Sequence, residues 1–101
     1  MMLYFKPTNH FLLRQWERSI HSFEMEKILT KLKDKTEEMG SNKTHVVIGE
    51  RVLKSLNLKK GIFKNLIIVV KAKKLLVTMF FVEDLLAYLK SVKNKESILL
   101  I

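Results

Sequence analysis

The spacing of apolar and polar residues in the first forty positions predicts one short strand followed by two helices. The strand covers Leu3–Phe5 and stops at Pro7, because proline has no N–H group to donate to a neighbouring strand. Thr8 or Asn9 can then cap the first helix. Four apolar residues share one face of this helix and predict the side that packs on a sheet: Leu12, Leu13, Trp16 and Ile20.

The second helix is predicted to begin at Ser22, whose side chain can cap it, and to end near Gly40, which suits the left-handed conformation of a helix end. Its apolar residues keep the helical period: Met25, Ile28, Leu29 and Leu32. After Gly40 the pattern becomes extended. His45–Ile48 begins a strand, which the pattern continues past a bulge at Gly49 towards Leu53.

Two longer apolar segments, Ile62–Val70 and Leu75–Val82, are separated by the polar residues Lys71–Lys74, which have the length of a hairpin loop. Both segments are apolar on both faces, so the sheet that they form has to be covered on each side. A further helix that could cover the second face is predicted from the spacing of Leu85, Leu86, Leu89 and Val92. Alternatively, these residues and the apolar tail Ile98–Ile101 pack against a second copy of the chain.

Together these elements predict an α+β fold, with two N-terminal helices packed on a twisted antiparallel sheet of about four strands, plus a C-terminal helix. At 101 residues the chain is long enough for one modest core, so residues 1–101 are predicted to form a single domain. The hydrophobic fraction of 48% and the charged fraction of 29% are typical of a globular protein.

Composition excludes several kinds of site. The chain has no cysteine, so disulfides and thiolate metal sites are excluded, and the three histidines are not spaced as metal ligands. We therefore expect no metal and no cofactor. The segment Met1–Lys6 is too short and too polar for a secretory signal, and no apolar run has the length of a membrane span. These features predict a cytoplasmic protein with no membrane partner.

The positive charge is concentrated in the second half of the chain. The sequence has 19 Lys and Arg against 10 Asp and Glu, a net charge of +9. Between Arg51 and Val82 there are 8 basic residues and no acidic one. Such a field of one sign attracts polyanions, and RNA, DNA or an anionic membrane would each satisfy it. The alternative is a compositional bias of the genome that carries no binding function.

Three residues of the first helix recur at every fourth position: His10, Arg14 and Arg18. A helix advances about 100° per residue, so the imidazole and the two guanidinium groups fall within about 80° of one another. Arginine binds phosphate through two parallel hydrogen bonds, and histidine transfers protons near neutral pH, so the trio suits a phosphate diester. The alternative is that the trio forms the solvated face opposite the apolar stripe, with Glu17 as an ion-pair partner.

Two further features add to this hypothesis. Thr78 interrupts the last apolar strand and could orient a phosphate or His10 if the two lie close together; otherwise its hydroxyl bonds within the sheet. The hairpin-turn residues Lys71, Lys73 and Lys74 could bind the flanking phosphates of RNA. A lysine-rich turn can also serve only to protect a sheet edge from aggregation.

Several of these residues resemble a known group of proteins. The run Asn9-His10, then Arg14, then Glu17-Arg18-Ser19-Ile20, followed by a second helix and by the strands Leu66–Val70 and Leu76–Met79, resembles small bacterial ribonuclease-like domains of the barnase, colicin and RelE toxin superfamily. It looks most like their uncharacterised domain-of-unknown-function relatives. The likeness spans roughly residues 3–82 in element order and leaves the chain from Glu83 onward outside it.

The resemblance implies an RNA-binding, metal-independent endoribonuclease of toxin type that cleaves through attack by the 2′-hydroxyl. His10 would transfer protons, Arg14 and Arg18 would bind the scissile phosphate, and Thr78 would orient that phosphate or His10. An acidic antitoxin or immunity protein would cover the basic surface. The alternative is a non-catalytic nucleic-acid-binding or assembly protein, such as a viral or plasmid-borne one, that forms a homodimer through its C-terminal apolar residues.

Overall fold

Two neighbouring segments rich in β-branched and aromatic residues, LIIVVK and LLVTMFF, form the hairpin at the centre of the fold. The computed structural model describes residues 4–35, 43–72 and 74–101. Its elements before the hairpin are β1 (Lys6–Pro7), α1 (Asn9–Glu17), α2 (Ser22–Lys35), β2 (His45–Val47), α3 (Glu50–Ser55) and α4 (Lys60–Phe63). The hairpin and the elements after it are β3 (Leu66–Lys71), β4 (Leu75–Phe81), α5 (Leu85–Ser91), a short 3₁₀ helix (Lys95–Ser97) and β5 (Ile98–Leu100).

The strands of the described residues form one mixed sheet in the order β1-β4-β3-β2-β5. The three inner strands are antiparallel, whereas β1 runs parallel to β4 and β5 runs parallel to β2. The α+β class is therefore confirmed, but the prediction of an antiparallel sheet of about four strands is wrong. Parallel neighbours require long connections through other elements, and such connections leave no local pattern in the sequence.

The main core lies between one face of the sheet and helices α1 to α4. It includes completely buried side chains from the helices and the strands: Phe11, Ile28, Leu32, Leu53, Phe63, Leu66, Ile68 and Met79. On α2 the residues predicted from the helical period, Met25, Ile28, Leu29 and Leu32, are all buried, which confirms that prediction. The predicted end of this helix near Gly40 lies outside the described residues.

The packing of α1 differs from the prediction. The helix buries Phe11 and Gln15, while Leu12, Leu13 and Trp16 are 47%, 51% and 77% exposed. The predicted apolar stripe is therefore wrong except for Ile20, which is buried just after the helix. The Gln15 side-chain amide is satisfied in its buried position, because it donates a hydrogen bond of 3.2 Å to the carbonyl of Ile20.

Two segments predicted as extended chain are helical. Gly49 is the N-cap of α3 rather than a bulge in a strand, and Ile62 lies in α4. These helices have only six and four residues, so each shows too little of the helical period to be distinguished from a strand by pattern. The strand β3 consequently begins at Leu66. Its antiparallel pairing with β4 confirms the predicted hairpin, but Lys71, which was predicted to lie in the loop, is the last residue of β3.

The second face of the sheet is covered in part by α5, in agreement with the sequence. Because side chains alternate along a strand, Ile67, Thr78 and Phe80 lie on the face opposite Ile68 and Met79. The Phe80 ring contacts the Tyr88 ring of α5 edge-on, with centroids 5.9 Å apart. Burial raises the pKa of the Tyr88 hydroxyl above its usual value.

Candidate functional site

The start of α1 is fixed to strand β4 by Thr8. Its hydroxyl oxygen caps the helix by accepting a hydrogen bond from the Phe11 backbone N–H, at 3.1 Å, and its O–H donates to the carbonyl of Val77, at 2.8 Å. The Thr8 backbone N–H also donates to the carbonyl of Leu76, at 3.0 Å. These bonds confirm Thr8 as the cap. They also place α1 alongside the part of β4 that follows its pairing with β1, from Val77 onward.

Arg14 lies on the side of α1 that faces β4. Its Nε–H donates to the Met79 carbonyl over 3.4 Å, which is long for such a bond, and its Nη1 lies 3.5 Å from Glu17 Oε1. Part of the guanidinium thus provides a donor for the Met79 carbonyl of β4 and pairs with the Glu17 carboxylate. No other hydrogen bond of the Arg14 side chain is found among the described residues, so its remaining N–H groups can donate to a ligand.

Arg18 follows the last turn of α1 and lies over an aromatic ring at the end of β4. Its guanidinium carbon is 5.1 Å from the centroid of the Phe81 ring, within the range of a cation–π contact. Both residues line a shallow cleft of about 340 Å³ together with Gly61, Ile62 and Lys64. The charged side chains that line it, Arg18 and Lys64, are both positive.

His10 is exposed on the first turn of α1. With an advance of about 100° per residue, it lies on the same side of the helix as Arg14 and Arg18. The two arginines contact β4, so this side of α1 borders the strand and is not the solvated face opposite the sheet. The structure therefore brings His10, Arg14 and Arg18 to one side of the molecule.

Thr78 is not brought to these three residues. Met79 belongs to the core that contains Phe11 of α1, and strand alternation places Thr78 on the opposite face of the sheet. There Thr78 is paired with Val69 of β3, on the face that α5 covers in part. A site that combines His10 with Thr78 would have to include both faces of the sheet.

The hairpin turn contributes a second group of cations at the other end of β4. Lys71 and Lys74 are exposed, whereas Lys73 lies outside the described residues. The Lys74 Nζ is 5.1 Å from the centroid of the Tyr4 ring, and the Lys33 Nζ of α2 is 5.2 Å from the same centroid. This end of β4 thus resembles the Phe81 end, because each places cations beside an aromatic ring.

Sequence reasoning missed four of these residues: Tyr4, Lys33, Lys64 and Phe81. Phe81 and Tyr4 have the spacing of core residues in the sequence, which predicts packing and gives no sign of a binding role. The hairpin pairs Lys71 with Leu75, and a one-residue shift at Val69/Val70 then brings Leu66 opposite Phe81, so that Lys64 lies near the Phe81 end. The turn alone would place Lys64 only to within about one residue of this position. The contact between Lys33 and Tyr4 joins distant segments and has no local signal.

Known proteins do not identify this site. Comparison of the chain with protein-family models, with curated proteins and with solved structures finds no match. Across the described ranges, no three His, Asp or Glu side chains converge where they could hold a metal ion, and no helix there is both long and apolar enough to cross a bilayer.

Proposed function

We propose that this protein binds single-stranded nucleic acid, with RNA as the expected ligand, along the side of the sheet formed by α1 and β4. The observation that carries this proposal is the cleft at the end of β4, where the Arg18 guanidinium lies over the Phe81 ring and Lys64 completes the lining. A phosphate requires cationic donors, and an unpaired base requires a flat apolar surface beside them. This cleft places two cationic side chains and an aromatic ring within one small volume.

The two ends of β4 extend this site into a path. Tyr4 with Lys33 and Lys74 lies at the start of the strand, and Arg18 with Phe81 lies at its end. The seven residues of β4 separate the two groups by roughly 20 Å. Arg14 and His10 lie between these ends on α1, so a strand that follows this path passes one further guanidinium group and an exposed imidazole.

A single strand fits this path better than a duplex. Aromatic side chains bind bases whose faces are open, and the bases of a duplex are stacked on one another. Reading a duplex usually requires a helix whose polar face enters the major groove. The outward face of α1 instead presents Leu12, Leu13 and Trp16.

Endoribonuclease activity is the second candidate, and the position of His10 favours it. The exposed imidazole lies on the same side of α1 as both arginines, next to the proposed path of the phosphates. A histidine beside a bound phosphate diester could take the proton from a 2′-hydroxyl as its oxygen attacks phosphorus, while Arg14 or Arg18 stabilises the charge that develops on the phosphate. The bond from phosphorus to the 5′-oxygen then breaks, and the leaving 5′-oxygen takes a proton from the imidazolium or from water, which leaves a 2′,3′-cyclic phosphate. Thr78 has no part in this second proposal.

Cleavage of a labelled RNA in the presence of EDTA separates the two candidates. We expect wild-type protein and His10→Ala to bind the RNA with similar affinity, because the cations and the aromatic rings that hold the strand remain in the variant. We expect neither protein to cleave the RNA. His21→Ala, which removes another exposed histidine, serves as the matched control. Products with 2′,3′-cyclic phosphate ends that are formed by wild type and by His21→Ala, but not by His10→Ala, would replace the binding proposal with the endoribonuclease.

A further inference from the structure

A second basic cleft lies at the opposite edge of the sheet, and the proposed function does not use it. The sheet order places β4 near one edge and β5 at the other, with β3 and β2 between them. Beside β5, a cleft of about 400 Å³ is lined by residues of α2, α3 and the chain after the 3₁₀ helix: Lys31, Lys35, Arg51, Val52, Ser55, Leu99, Leu100 and Ile101. Three of these side chains are cations.

The two helices present their polar residues to this cleft in pairs. Lys31 and Lys35 are four residues apart on α2, and Arg51 and Ser55 are four residues apart on α3, so each pair lies on one side of its helix. Lys31 and Lys35 are half-buried rather than extended into solvent. The two helices thus hold three positive groups around one small volume.

None of the side chains that line the described cleft is acidic, so these side chains together carry a net positive charge. Like charges that share a concave site repel one another, and the field of such a site attracts anions. The Ser55 hydroxyl already donates to the Val52 carbonyl, at 2.8 Å. The donors left for an anion are therefore the two ammonium groups and the Arg51 guanidinium.

We propose that this cleft binds a compact oligophosphate, with a nucleoside diphosphate or triphosphate as the expected form. A volume of about 400 Å³ is in the range of small-molecule sites. Three cations match the several charges of an oligophosphate better than the single charge of a phosphate diester. Val52 and Leu99 give the cleft an apolar part against which a nucleoside can pack.

The test is calorimetric titration of the whole chain with ATP and with inorganic tripolyphosphate at fixed ionic strength. Lys31→Gln combined with Arg51→Gln should weaken the binding of both ligands at least about 100-fold, because two charge-assisted hydrogen bonds to phosphate are lost. Lys27→Gln combined with Lys54→Gln is the matched control. It removes two exposed cations from the same helices but none from the cleft, so it should change the affinity less than about twofold.

Three results would overturn the proposal: no binding by the folded wild-type protein at about 1 mM ligand, equal losses in the two double variants, or binding that is lost in Arg18→Gln combined with Lys64→Gln. The last result would assign the phosphates to the cleft at Phe81. If the cleft variant alone loses binding, tighter binding of ATP than of tripolyphosphate identifies a nucleotide ligand, and equal binding identifies an inorganic oligophosphate. Either of these two results supports an oligophosphate site, and neither depends on the binding of RNA.

Discussion

Replacing Phe11 with alanine is expected to lower the free energy of unfolding by about 3–5 kcal/mol, the usual cost of emptying a completely buried phenylalanine site. The Phe11 side chain is 1% exposed and belongs to the core between α1, α2 and the sheet. The substitution would leave a cavity between α1 and β4. Because the hydrogen bonds of Thr8 hold these two elements together, they can move only in part to fill that cavity. Such a loss is a large part of the stability of a domain of this size.

The matched variant for this prediction is Trp16→Ala on the same helix. Trp16 is larger than Phe11 but 77% exposed, so its removal should cost less than about 1 kcal/mol. Unfolding in urea, followed by circular dichroism, measures both values. A larger loss for Trp16→Ala than for Phe11→Ala would show that α1 packs through the stripe predicted from the sequence and not as the structure has it.

Combining Arg18→Gln with Lys64→Gln is expected to weaken the binding of a single-stranded RNA by roughly 100-fold or more at low salt, because each of the two charged hydrogen bonds to phosphate that are lost is worth about 1.5–3 kcal/mol. The loss should be accompanied by a smaller salt dependence. Each phosphate contact to a single strand contributes about 0.7 to the slope of log K against log salt, so two lost contacts should reduce the slope by about 1.4. Fluorescence anisotropy at several salt concentrations measures both quantities.

The control for this experiment is Lys90→Gln combined with Lys93→Gln. These exposed lysines lie on α5 and just after it, away from the α1 side of the sheet, and their removal changes the net charge by the same amount. This control should retain most of the affinity and most of the salt dependence. Equal losses in the two double variants would mean that net charge attracts RNA without a defined site.

The parts of the fold that sequence predicted well are those whose signals are local. The hairpin of β3 and β4 combines two runs of strand-forming residues with a short polar loop, and α2 spans enough turns for its apolar period to be recognised. Helices α3 and α4 are too short for that test. Strands β1 and β5 have two and three residues, and their partners are distant in the chain.

The rotation of α1 could not be predicted from apolar content. A stripe containing Leu12, Leu13 and Trp16 is more hydrophobic than one containing Phe11 and Gln15, so the pattern favoured the wrong face. What fixes the rotation is the attachment of Thr8 to β4, together with the bond that satisfies Gln15. Both depend on tertiary contacts that the periodicity of one helix does not contain.

The candidate site shows the same division between local patterns, which the sequence contains, and tertiary contacts, which it does not. The helical spacing of His10, Arg14 and Arg18 is local, and the structure retains these residues on one side of the molecule. The proposed role of Thr78 required it to lie on the same face of β4 as α1. Because β4 is apolar on both faces, the sequence does not indicate which face Thr78 occupies. Lys64 and Phe81 required the register of the hairpin.

The measurement that tests the central claim most directly is a titration of isotopically labelled protein with a short single-stranded RNA, followed by the NMR signals of the backbone amides. Binding as proposed should shift the amides around the cleft and along the second half of β4 most strongly: residues 14–18, 61–64 and 79–81. Smaller shifts should continue towards Tyr4 and Lys74. Shifts confined to α5 and β5, or spread evenly over the molecule, would contradict a nucleic-acid site on the α1 and β4 side.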